Sequence, residues 1–226
     1  MTKTINKMKI VAYIISFVFH PLFILFYMLS FLYSMNPFIF DETSEMEQIS
    51  FITYTLVSII IIPVVSILLM KNLSIIKSLS MHDRMERVGP MIVVSIVYLW
   101  LFINFKNNTV LPLVFAAVML GASISVLVAF FINNFTKISL HSIGMGAFVA
   151  SIALLKFKLD YGNLIFQVSG VYYFEINLYL IIIIAVIIAG MVGTSRLFLK
   201  AHSPQQIYSG YFIGLLSQFI GFNIIF

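Results

Sequence analysis

An all-α, polytopic transmembrane helix bundle of six or seven spans is the fold class this sequence predicts, and three observations predict it. Of the 226 residues, 62% are hydrophobic and only 9% are charged, with a mean hydropathy of +1.09. That is too little charge for the surface of a soluble domain. The apolar residues fall into separate runs, several of them near the roughly 20 residues that a helix needs to cross the hydrocarbon core. Short polar junctions separate the runs, with no linker or internal repeat, so residues 1–226 read as a single integral-membrane domain. The chain has no cysteine, which excludes disulfides and thiolate chemistry. Its net charge of +5 is explained by loop positions rather than by nucleic acid.

A short basic tail, with Lys3, Lys7 and Lys9, precedes span one at about 10–33, which His20-Pro21 interrupts. This first apolar run outlasts a signal-peptide core and no small-residue cleavage site follows it, so it is expected to be retained. The segment 36–48 is polar and acidic, with Asp41, Glu42, Glu45 and Glu47. Span two covers about 49–70, and Pro63 is expected to kink it. The longest charged stretch, 71–89, carries Lys77, His82, Asp83, Arg84, Glu86 and Arg87. Span three (90–105) is short; span four covers 110–132. A second polar junction, 133–141, holds Lys137, Ser139 and His141 ahead of span five at 142–155. A mixed loop is expected over 156–175, then span six at 176–193 and span seven at 204–224.

Between spans six and seven lies Ser195-Arg196, then His202-Ser203-Pro204, then Gln206. Proline is favoured at the first position of a helix. If Pro204 opens the last helix, His202 stands at its mouth and Gln206 faces back towards it. Two spans separate 71–89 from 133–141, and two more separate that junction from 195–206. An even number of crossings returns the chain to the same face, so all three junctions are expected at one membrane surface. Lys77, Arg84, Arg87, Lys137, Arg196 and Lys200 then gather with His82, His141 and His202. Arginine forks and lysine point charges suit a dianionic phosphate. Imidazoles that titrate near neutrality can attack phosphorus or protonate a leaving oxygen. The histidines lack metal-ligand spacing. His20, inside span one, either marks function or satisfies carbonyls freed at the Pro21 break.

Ser195-Arg196-x5-His202-x3-Gln206 is similar to the third signature of the type 2 phosphatidic acid phosphatase (PAP2) superfamily, Ser-Arg-x5-His-x3-Asp. Ser139-Leu140-His141 resembles the second signature, Pro-Ser-Gly-His, keeping the serine and the histidine. Lys77 and Arg84 have the spacing of the first, Lys-x6-Arg-Pro, with Met85 in place of the proline; Arg87 is the other candidate. The likeness runs from Lys77 to Gly214, within a PAP2-like core of about 71–224. It implies hydrolysis of a membrane lipid phosphate, of phosphatidate or isoprenoid diphosphate type, through a phosphohistidine and without metal or cofactor. His202 would be the nucleophile and His141 the acid, with Gln206 orienting His202. Arg196, Ser139, Lys77 and one of Arg84 or Arg87 would hold the phosphate; Lys137, on the same face, is a further candidate from the residues themselves.

The departure at Gln206 matters most: an amide can accept an imidazole N–H but brings no charge, and Asp83 or Glu86 is a candidate source of that charge. The alternative is a catalytically silent relative that binds or moves anionic lipids. Ten of the thirteen lysines and arginines fall on the motif face, which by the positive-inside rule makes that face cytoplasmic. Half or more of those ten are candidate site residues, so the side is left open. The expected location is a bacterial cytoplasmic membrane.

Overall fold

In the computed structural model, the described residues are 2–35, 45–79, 81, 83–108, 111–160, 162–168 and 172–226. His82, Asp41 and Glu42 lie outside them. Among the described residues, six helices are long and apolar enough to cross a membrane, and a bent helix pair makes a seventh span if counted as one. The protein is a multi-pass membrane bundle whose candidate spans are all helical.

The bent pair is α1 (Thr2–Val18) and α2 (Pro21–Met35), which meet at 56°. Pro21 has no N–H to continue the ladder of α1, so the helix stops before it and restarts from it. The amides of Phe23 and Ile24 donate to the His20 carbonyl at 2.8 and 3.2 Å, opening α2. After α3 (Glu45–Leu56), a π-helical turn at Val57–Ile61 leads into α4 (Ile62–Asn72). The expected kink at Pro63 is therefore a local π turn just before it, a common remedy where a ladder bond is missing.

Spans three and five, short by sequence, are longer in the structure. A 3-10 turn at Met85–Arg87 runs into α5 (Val88–Asn107), so the charged junction itself supplies the first turn of that span. Then come α6 (Leu113–Asn133) and α7 (Leu140–Phe157). The connection expected as an irregular loop contains an antiparallel hairpin, β1 (Asn163–Val168) and β2 (Tyr172–Asn177), with Asn163 opposite Asn177. Its β-branched and aromatic residues favour strands. The chain closes with α8 (Leu178–Phe198) and α9 (Pro204–Ile225).

Helix α9 sits centrally, against α6 and α7. A Cβ built on Gly214 would lie 2.1 Å from the Ile143 carbonyl oxygen, and one on Gly146 would lie 2.4 Å from that of Tyr211. The α7 and α9 backbones therefore touch through glycine, the close approach that small residues permit in membranes. At the end of the bundle away from the polar junctions, Leu101, Phe105, Phe115, Leu155, Leu178 and Phe222 form a tightly buried core.

Candidate functional site: a cationic, imidazole-lined cavity

The α8–α9 junction is built from two helix caps. Lys200 takes the left-handed conformation at φ 52°. The Ala201 amide donates to the Arg196 carbonyl (3.1 Å) and that of Lys200 to Leu197 (2.9 Å). These two bonds are a Schellman ending, which turns the chain sharply out of α8. Three residues later Ser203 caps α9 in a capping box with Gln206, with Pro204 in the first turn. Between these caps His202 is held 8% exposed.

Gln206 Oε1 does two jobs. It accepts from the Ser203 amide at 3.3 Å and lies 2.9 Å from His202 Nδ1. An amide oxygen only accepts, so His202 carries its proton on Nδ1 and leaves the lone pair on Nε2. Burial pulls the His202 pKa down to about 4; the Gln206 bond opposes this, and Arg87, Arg196 and Lys137 lower it further. The ring is therefore neutral at pH 7, the state a nucleophile needs.

The start of α7 has a similar design. Ser139 Oγ caps the helix, accepting from the Ser142 amide at 3.3 Å and from the Ser142 hydroxyl at 3.0 Å. Its side chain thus stays in the cap, buried and off the cavity wall. His141 follows in the first turn, with Nε2 3.0 Å from the Ser16 carbonyl of α1. That carbonyl fixes the Nε2 proton, so Nδ1 is the nitrogen left for a ligand.

The first junction is stitched onto the second. The Asn133 side chain donates to the Arg84 carbonyl at 2.7 Å, and Arg84 in turn donates to the Phe135 carbonyl. Arg87 donates to Ile138 O at 3.2 Å and to Met81 O at 3.1 Å. Of the two arginines considered for the first signature, Arg87 lines the cavity and Arg84 does not. Lys77 is exposed and away from the cavity wall. Lys137 is half-buried and does not line the cavity, and burial and then Arg87 and Arg196 lower its pKa.

The suggestion that Asp83 or Glu86 supplies charge to His202 is corrected by the structure. Glu86 accepts from the Lys77 amide at 2.8 Å, Asp83 accepts from that of Met85 at 3.1 Å, and neither lines the cavity.

The cavity, of about 240 Å³, is lined by Arg87, Arg196, His141 and His202 together. His20, whose role the sequence left open, joins them, and no Asp or Glu lines it among the described residues. Arg196 Nε is buried with no hydrogen-bond partner. A buried guanidinium N–H without an acceptor is costly, so this site is complementary to an oxyanion. The amino ends of α7 and α9, each with a histidine in or just before its first turn, add their dipoles. Among the described residues, no three of His, Cys, Asp and Glu cluster as metal ligands.

A substitution at Gln206 tests the electrostatics. A glutamate there would place a carboxylate beside Nδ1 and favour the imidazolium, raising the His202 pKa. In wild type the His202 imidazole is expected to titrate near pH 4 by NMR, because burial depresses its pKa. Gln206→Glu is expected to move that titration upward by about one pH unit or more. Coincident titrations would contradict this. The same depressed pKa lowers stability as pH falls from 6.5 towards 4, because the unfolded chain takes up the proton first.

No curated protein and no solved structure matches the chain. Residues 131–226 match the family model of the PAP2 superfamily. That stretch, which contains Ser139, His141, Arg196, His202 and Gln206, is similar to the PAP2 superfamily.

Proposed function

We propose that the protein is a lipid phosphate phosphatase that works through a phosphohistidine at His202. The observation that carries this reading is one largely apolar cavity lined by two arginines and three histidines, with no carboxylate among its described lining residues. In this mechanism Arg196 and Arg87 grip the phosphoryl oxygens and lower their charge. His202 Nε2 attacks phosphorus while Gln206 holds the Nδ1 proton. His141, its Nε2–H anchored on Ser16 O, takes the proton of a monoanionic phosphate ester on Nδ1 and passes it to the leaving oxygen. Water then hydrolyses the P–N bond with the same group acting as base.

The apolar part of the cavity supports a lipid rather than a soluble substrate. Its walls include Leu25 and Met28 of α2, Met91 and Val94 of α5, and Ala122 and Val126 of α6. From Arg87 to Tyr98, both on the cavity wall, α5 rises about 16 Å at 1.5 Å per residue. A hydrocarbon chain fits this path with its phosphate at the cationic end.

Ala122→Phe, which fills the path, is expected to raise KM about tenfold or more for a long-chain lipid phosphate. It should leave a short-chain alkyl phosphate unaffected. Equal effects on both, measured as phosphate release by purified protein, would contradict a tail inside the bundle. The uncharged Gln206 favours a second reading, a silent relative that binds anionic lipid: it predicts binding without release.

A further inference from the structure

We propose that His20 is a third imidazole that contacts the phosphate, donating its Nε2–H to a phosphoryl oxygen held beside His141 and Arg196. This rests on the reading of the cavity as a phosphate site. The family match begins at residue 131, so it says nothing about His20, which the broken first span delivers.

Three observations support the role. His20 lines the cavity with His141, Arg196 and His202. Its ring meets that of His141 edge-on, with centroids 5.5 Å apart and planes at 83°. Its Nδ1 accepts from the Leu22 amide at 3.4 Å, satisfying one of the orphan donors at the start of α2. A neutral imidazole with Nδ1 accepting carries its proton on Nε2. The helix cap therefore fixes the tautomer that offers a donor, on a residue exposed to the cavity. Satisfying the Pro21 break would need only the cap. It would not require an imidazole lining the same cavity as two arginines and two other histidines.

Two substitutions separate cap from contact, because aspartate and asparagine both cap helices well. His20→Asn retains an acceptor for Leu22 and an N–H donor. His20→Asp retains the acceptor, loses the donor and repels phosphate. With the 226-residue protein in detergent and dioctanoyl phosphatidate as probe, His20→Asp is expected to lower kcat/KM about 100-fold. His20→Asn should stay within about tenfold of wild type, and both should melt with the wild-type protein.

Rates for His20→Asp within threefold of wild type, or equal losses in both variants, would overturn the proposal. His202→Ala, run alongside, judges the phosphatase reading separately: release at the wild-type rate would sink that reading and leave His20 to be judged by its own ratio. If the wild-type protein binds the probe without releasing phosphate, the same pair is compared by binding. A tenfold weaker affinity in His20→Asp alone supports the contact, and equal affinities overturn it.

Discussion

His202→Ala is expected to abolish phosphate release, with kcat falling by about 10⁴-fold or more, the scale seen when a covalent nucleophile is removed. The surroundings of the ring suit a nucleophile. Gln206 pins its Nδ1 proton, and burial among cations keeps it neutral at pH 7. Alanine leaves Arg87, Arg196 and the apolar path in place, so binding of the lipid phosphate should survive. The expected pattern is a collapse in kcat with little change in affinity, read from release and binding on the same preparation. A silent lipid-binding protein would show no release to lose.

The second large effect is expected at a helix–helix contact rather than at a polar side chain of the cavity. Gly214→Ala would drive a Cβ to 2.1 Å from Ile143 O and 2.7 Å from the Ala147 amide nitrogen. Both contacts are with backbone, which cannot rotate aside, so α7 and α9 must separate. Overpacking of this kind costs about 1–3 kcal/mol. The site suffers further, because His141 rides on α7 and His202 is fixed to the start of α9. A displacement of about 1 Å between groups that act on one phosphoryl group is worth about 100-fold in rate. Gly190→Ala is the control: its Cβ would meet nothing within 4 Å on α8. It should be neutral, and equal behaviour of the two variants would contradict a glycine-mediated α7–α9 contact.

Both effects trace to features that were legible in the sequence. The mutual placement of His202 and Gln206 is local, four residues apart across a proline-opened helix start, and the structure shows it as a capping box plus one imidazole bond. Counting crossings placed 71–89, 133–141 and 195–206 on one face, and Arg87, His141, Arg196 and His202 do line one cavity. Gly210 and Gly214 read as a packing face, and both abut the backbone of α7.

What was not legible depends on geometry that spacing does not encode. Arg87 rather than Arg84 reaches the cavity because Met81, at φ 45°, and the 3-10 turn at Met85–Arg87 set the direction of each side chain. His20 reaches it only through the 56° bend between α1 and α2, an angle that Pro21 permits but does not specify. Asp83 and Glu86, close in sequence to the cations, spend their oxygens on backbone amides of their own loop. The β1–β2 hairpin was hidden because Lys156, Lys158 and Asp160 made its surroundings look like a polar loop.

The most direct test of the central claim is to trap the covalent intermediate. Purified protein is mixed with a lipid phosphate labelled on phosphorus, quenched within a turnover and digested, and the labelled peptide is identified. A phosphoramidate is acid-labile and alkali-stable, so the account predicts a label of that stability on His202 and none in His202→Ala. Turnover with no such label, or a label on another residue, would contradict it.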